Sequence, residues 1–302
     1  MTCRMFFIAL LVITVTSCRM KPAVAPREPA SIAEVERIAR TFERVAAAHV
    51  DAWFPGDTDG GAEAVRALYT EDIVHQDQTF DAHIAGIDEL AELASNFVLF
   101  FPSAETEVAG QFIGTEDSLV SYEIWDFRLE GHGFTRDDPL VEVDLLETRE
   151  GLISHWRLFY GLDSIESFRA SDMRATDEAR ALLASYASSW SSKEPSKIAG
   201  LYASDAVRED TIFGERQEGR GAIASFADSF FASYPGAQWD LLLAFGDGKG
   251  EDPMTGGVFA ITVGEGACEV RTAVLLKASE DRIVHESVYY EPDSLIACGW
   301  AP

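Results

Sequence analysis

The sequence predicts an α+β chain made of two copies of one domain, and two observations carry that prediction. The first is a repeat: LYTEDIVHQD at residues 68–77 lies over LYASDAVRED at 201–210 without a gap, at an offset of 133 residues. At the same offset Gly86 meets Gly219, Leu90 meets Ile223, and Phe101-Pro102 meets Tyr234-Pro235. One long-period match argues for a duplicated domain rather than a solenoid of short repeats. The second observation is order. In each copy helical spacing comes first and strand-like segments follow, which is the α+β layout.

In the first copy, Val35, Ile38, Phe42, Val45, Ala46, His49, Val50 and Trp53 recur at steps of three and four, the spacing of one helical face. Ser31, with Glu34 three residues on, forms a capping box at its start. Phe54-Pro55-Gly56-Asp57 and Gly60-Gly61 then break the chain. A short second helix carries Val65, Leu68 and Tyr69, and an extended segment runs through Ile73 to end near Asp77. Gly86 precedes a third helix over 87–101, stopped by Pro102. Strands are expected at 111–113, 118–129, 140–147 and 152–160.

The second copy repeats this order. Thr176-Asp177 opens a helix with Ala179, Leu182, Leu183, Tyr186, Ala187 and Trp190 on one face, and Lys193-Glu194-Pro195 ends it. Segments at 198–202 and 207–210, Gly219, and a helix over 222–234 follow, then strands at 238–245, 257–263, 269–277 and 283–290. At the C-terminal ends the copies align at an offset of 130, with Ile153 on Ile283, His155 on His285 and Tyr160 on Tyr290. The linker is therefore short, near 168–175, and the domains are expected at 32–168 and 175–296. Strands such as 270–276 carry apolar residues on both faces, which a sheet with one face in water does not need. This predicts that the copies pack sheet to sheet as an internal pseudo-dimer.

Composition narrows the function. The chain has 302 residues, 47% of them hydrophobic, enough for two cores. Its net charge of -27, from 51 acidic and 24 basic residues, argues against nucleic acid and against attraction to anionic lipid heads. Residues 1–17 have one early charge, Arg4, an apolar run from Met5 to Val15, and a small-residue tail, the pattern of a secretory signal. Val15-Thr16-Ser17-Cys18 resembles the lipobox of bacterial lipoproteins, in which the cysteine is lipidated; a plain signal peptide cut near Ser17 is the other reading. The resemblance places the protein in the bacterial cell envelope, held to a membrane through lipid on Cys18. Residues 18–31, with three prolines in KPAVAPREPAS, read as an extended tether. Cys268 and Cys298 remain once Cys3 and Cys18 fall to the signal region; in an exported protein they suggest a disulfide, two free thiols being the alternative.

An N-terminal helix, Leu-Tyr-x-x-Asp with an acidic residue five later, a Gly-led third helix ending in aromatic-Pro, and a terminal hairpin with Arg-Ile-Val resemble the SnoaL-like group of the nuclear transport factor 2-like superfamily. GRGAI at 219–223 and RIVHES at 282–287 carry the likeness most closely; GIDEL and LISHWR in the first copy match more loosely. The resemblance covers nearly everything from Ile32 to Leu295. It implies two cystatin-like cones, each a curved antiparallel sheet wrapped on three helices around an apolar cavity. It implies no single activity, because such cones house isomerases, cyclases, dehydratases and non-catalytic binding domains alike.

Within that resemblance, Tyr186 and Asp210 stand 24 residues apart, the spacing of the helical tyrosine and the base in ketosteroid isomerase. Asp210 would take a proton beside a carbonyl while the Tyr186 hydroxyl steadied the oxyanion. The strand position of that enzyme's second, protonated aspartate aligns with Ala273, leaving half an oxyanion hole. The same residues also read as a core aromatic and a turn-closing carboxylate. In the first copy the corresponding pair is His49 and Asp77, a dyad in which the carboxylate would raise the imidazole pKa, or a hydrogen-bonded core histidine. Trp53, Trp125, Trp190 and Phe230 are expected in cavity walls and core. No histidine spacing suits a metal, and no phosphate loop or nucleophile elbow points to a cofactor. Three functions stay open: binding of a small apolar or amphipathic molecule, an isomerase, cyclase or dehydratase type of enzyme, and a non-catalytic assembly module.

Overall fold

The computed structural model describes residues 31–299 except 55–60, 79–81, 102–104, 116–117, 127, 130–131, 134–139, 167–173, 247–253, 265–267 and 280. The expected signal, Cys18 and most of the tether lie outside the described residues.

In the first half, helix α1 (Ile32–Trp53) is followed by α2 (Ala62–Leu68), strands β1 (Tyr69–Asp77) and β2 (Ala82–Ala85), and helix α3 (Ile87–Phe100). Strands β3 (Glu105–Ile113) and β4 (Ser118–Asp126) come next, then the small hairpin β5 (Arg128–Leu129) and β6 (His132–Gly133). Strands β7 (Leu140–Arg149) and β8 (Leu152–Tyr160) and the short α4 (Leu162–Glu166) complete it. The second half runs α5 (Arg174–Ser191), α6 (Pro195–Gly200), β9 (Tyr202–Asp210), β10 (Glu215–Glu218) and α7 (Arg220–Ser233). It continues with β11 (Gln238–Phe245), β12 (Thr255–Val263), β13 (Cys268–Ser279), β14 (Arg282–Tyr290) and α8 (Pro292–Ala297).

Local chemistry explains the main boundaries. Ser31 caps α1 by accepting from the Glu34 amide at 3.3 Å. Val35, Ile38, Phe42, Ala46 and His49 form the buried face of that helix, as the spacing requires. Gly86 and Gly219 stand at the same place before α3 and α7, both at positive φ (98° and 82°), where a side chain would strain the backbone. The expected helix end at Tyr69 and the short segment ending at Tyr202 instead begin strands. β-branched and aromatic residues there pair early with β8 and β14, Tyr69 opposite Ile153 and Tyr202 opposite Ile283.

Each half curls its strands over its helices, giving two cones of α+β type. The strand order is β3-β4-β7-β8-β1-β2 in the first and β11-β12-β13-β14-β9-β10 in the second. Neighbours are antiparallel except β1 with β8 and β9 with β14, which run parallel, a departure from the all-antiparallel sheet the resemblance implied. The helices supply one side of the core, with Phe42, Trp53, Leu90, Leu183 and Trp190 buried against the strands.

The halves meet through reciprocal contacts. Tyr290 bridges Ile113, and Gly161 bridges Phe245, with the Gly246 amide donating to the Tyr160 carbonyl at 3.1 Å. A separate apolar cluster joins Phe112, Val143, Leu145 and Phe159 to Phe245, Val258, Ala273 and Leu275. Strands β7 and β13 thus bury residues on both faces, the pattern read from the sequence of 270–276. Cys268 and Cys298 are bridged, with Cα atoms 5.6 Å apart, pinning α8 beside the start of β13.

Candidate functional site

In the second half, successive inward positions converge on one space. Alternate residues of a strand share a face, so β9 presents Arg208 and Asp210 together, β14 presents Glu286, Val288 and Tyr290, and β13 presents Thr272 and Val274. Tyr186 and Trp190 come from α5, and Phe226 and Phe230 from α7. The cavity there is about 260 Å³ and partly open, lined by Tyr186, Trp190, Asp210 and Phe230 together with Arg208, Tyr290 and further aromatic and aliphatic residues.

One wall is polar and internally paired. The Tyr186 hydroxyl donates to Glu286 Oε1 at 2.8 Å, and Tyr202 donates to the other Glu286 oxygen. Arg208 Nε lies 3.2 Å from Glu286 Oε1, and Arg208 Nη2 lies 3.8 Å from Asp210 Oδ2. The guanidinium also sits 4.3 Å above the Phe226 ring, a cation–π arrangement. Asp210 accepts from the Tyr290 hydroxyl at 2.5 Å and from the Phe213 amide at 3.1 Å.

Burial pushes the Asp210 carboxyl up to about 6, against the opposing pull of Arg208, Tyr290 and the Phe213 amide. Burial, then the Glu286 charge, holds the Tyr186 phenol well above its ordinary value. Burial would lower the Arg208 pKa, but Glu286 and Asp210 outweigh it and keep the guanidinium charged.

Tyr186 and Asp210 therefore border the same cavity, as their spacing suggested, but with partners the sequence reading missed. The Tyr186 hydroxyl already donates a hydrogen bond to Glu286 and is not a free donor in this arrangement. Glu286 lies within RIVHES and shares strand parity with Val288 and Tyr290, the signal in the sequence that marks it as inward-facing. Arg208 stands two before Asp210 for the same reason. Ala273 is buried in the cluster between the halves, so it is not the cavity-facing position of β13. That position is Thr272. The half-empty oxyanion hole inferred from Ala273 was one residue out of register, because a strand turns its side chains over at every step.

The first half places rings where the second has its polar wall. At the offsets of 130 and 133 Trp156 takes the place of Glu286 and His75 that of Arg208, and His49 takes that of Tyr186 once four extra residues in the loop between Trp53 and Ala64 are allowed. The Trp156 indole lies 4.1 Å from the His75 ring, 4.8 Å from His49 and 5.0 Å from Trp53. Trp53 Nε1 donates to the Tyr69 hydroxyl at 3.0 Å, which is 2.5 Å from His49 Nδ1. His49 Nε2 faces Asp144 Oδ2 at 3.6 Å, and Trp156 Nε1 donates to Asp144. The carboxylate seen at that distance from His49 is thus Asp144 on β7; Asp77 ends β1, half-buried. Burial, then the neighbouring His49, lowers the His75 pKa to about 3 and keeps it neutral. Trp125 lies in β4, and its side chain is outside the described residues. Among the described residues no group of His, Cys, Asp and Glu is placed to hold a metal ion, and no helix is long and apolar enough to cross a membrane.

No protein-family model and no curated protein matches the chain. Several solved structures are similar to about two fifths of it. A protein with a ketosteroid isomerase-like fold from Catenulispora acidiphila, in complex with trimethylamine, is 20% identical with a TM-score of 0.34, over 40% of this chain and 93% of its own. A putative ketosteroid isomerase from Kribbella flavida is 22% identical with a TM-score of 0.31, over 39% and 82%. A putative polyketide cyclase from Sinorhizobium meliloti is 18% identical with a TM-score of 0.32, over 38% and 98%.

Proposed function

We propose that this is an exported, lipid-anchored protein of tandem SnoaL-like domains whose second domain binds a small, mostly apolar molecule. The observation that carries the binding reading is the cavity of about 260 Å³, apolar and aromatic on most sides, with Arg208 and Asp210 on one wall. Ligand sites are concave and mainly apolar, with a few placed polar groups, and this volume suits a compact ligand. Native mass spectrometry of the protein purified from its own host tests it. One noncovalently held molecule per chain is expected, and it should be absent from a Val274→Phe variant, whose added ring would fill the cavity. Equal loading of the two proteins would contradict the assignment.

A second reading is proton transfer by Asp210, favoured by its cavity position and a carboxyl pKa near neutrality. With Tyr186 committed to Glu286, such an enzyme lacks a ready oxyanion donor, and the loss of one typically costs about 2.7–4 kcal/mol of barrier. Slow turnover of an unsaturated ketone, abolished in Asp210→Asn with ligand affinity kept, is the expected result. Unchanged turnover in that variant would end this reading.

The anchor rests on the Met5–Val15 run and the lipobox-like tail at Cys18. Cys18→Ala should leave the protein unprocessed or soluble, and partition into detergent unchanged from wild type would refute the anchor. The internal pseudo-dimer is supported by the reciprocal Tyr290–Ile113 and Gly161–Phe245 contacts. It requires one tumbling time for both domains.

A further inference from the structure

Two buried donors on the cavity wall, the Thr272 hydroxyl and the Trp190 indole N–H, have no hydrogen-bond partner among the described residues, and Thr272 is the one set in a strand of otherwise apolar inward residues. Thr272 is fully buried and lines the cavity, and its hydroxyl oxygen has no hydrogen-bond partner. A buried hydroxyl left unpaired is destabilising, and buried polar groups are nearly always satisfied. Isosteric valine would fill the same space on a β-strand at no such cost. β13 uses Val270 and Val274 at the neighbouring inward positions. A hydroxyl at 272 is therefore the exception on its own face.

Its location suggests what would satisfy it. Thr272 is the cross-strand partner of Tyr290, and residues directly opposite in a pair share a face. Tyr290 in turn donates to Asp210. Thr272 thus belongs to the cavity wall opposite the tyrosine whose phenol holds the Asp210 carboxyl, four residues along β13 from Leu276, the partner of Glu286. Around it the surfaces are apolar, from Val274, Ile261 and Phe259.

We propose that Thr272 is a ligand-binding and specificity-determining residue, donating its hydroxyl to a carbonyl or hydroxyl oxygen on an otherwise apolar ligand. The inference rests on the binding reading above and names the ligand class for that site: a compact apolar skeleton bearing at least one hydrogen-bonding oxygen. Arg208 and Glu286 neutralise each other and Tyr290 is turned to Asp210, so among the described residues of the wall the Thr272 hydroxyl and the Trp190 indole N–H are the donors without a partner, and Thr272 is the one beside Tyr290. The hydrocarbon of the same shape would bind too, but without this bond.

The test compares α-tetralone with tetralin, which share a skeleton and differ in the ketone oxygen, by titration of tryptophan fluorescence in wild type and in Thr272→Val. Wild type should prefer the ketone. Thr272→Val should weaken ketone binding by about three- to tenfold, the range of one net hydrogen bond, and leave tetralin unchanged. An equal affinity of the variant for the ketone, or an equal loss for both compounds, would overturn the role of Thr272 while leaving the cavity as a binding site. Failure of wild type to take up either compound would overturn both. Unliganded Thr272→Val should unfold at the same temperature or higher; a lower one would show that the hydroxyl serves the fold and would refute the proposal.

Discussion

The two halves share a backbone plan and differ in what fills it. Both put a helix-borne side chain, a strand tyrosine and a terminal-strand residue at the centre of the curl: His49, Tyr69 and Trp156 in one, Tyr186, Tyr202 and Glu286 in the other. In the second half the central strand residue is a carboxylate, which binds two phenols and a guanidinium and holds them flat against one wall. In the first it is an indole, which packs against His49, Trp53 and His75 and takes up the centre. Side-chain choice at a few inward positions separates a polar-walled cavity in one half from a cluster of packed rings in the other.

Trp156→Ala is the most disruptive way to break the comparison. Removing a buried indole typically costs about 3–5 kcal/mol, and here its bond to Asp144 goes too. A fall of that size in the stability from chemical denaturation is expected, together with uptake of small aromatic probes by the first half. Stability within about 0.5 kcal/mol of wild type, as for an ordinary surface substitution, would mean the indole is not the centrepiece described.

Acidification separates the halves more gently. Asp210 titrates at about 6 in the folded chain against an ordinary 3.8, so between those values the native state holds a proton the unfolded chain has lost. That contribution is present at low pH and fades as pH rises through about 6. His75 is the reverse: neutral down to about 3 when folded against an ordinary 6.5, it contributes stability above 6.5 that is lost as pH falls. Asp210→Asn should therefore gain stability relative to wild type as pH rises from about 4 to 6, and His75→Gln should lose it. Denaturation curves at the ends of that window check the signs, and slopes of the same sign would contradict the two assignments.

Much of the fold was legible because repeat, spacing and caps agree. The Ser31 cap, the Gly86 and Gly219 helix starts and the order of strands all follow from local chemistry visible in the residues. The parallel pairing of β1 with β8 was not, because Tyr69 reads as the end of a helix and the partner of β1 lies some 80 residues on in sequence, beyond any local signal. At the candidate site, spacing singles out Tyr186 and Asp210, while Arg208 and Glu286 carry no motif that singles them out in a very acidic chain. Buried charge is written in strand parity: Arg208 with Asp210, Glu286 with Val288 and Tyr290. The same parity separates Thr272 from Ala273, and counting it along β13 would have placed the right residue in the cavity.

The central claim is that the second half is the container and the first is filled. Crystals soaked in 4-bromophenol test it directly, since anomalous scattering locates each bromine without reference to any activity. The account predicts a bromine among Trp190, Phe226, Phe230 and Trp239 and none beside Trp156. A bromine between Trp53, His75 and Trp156, or none in the second cavity at saturating probe, would contradict it.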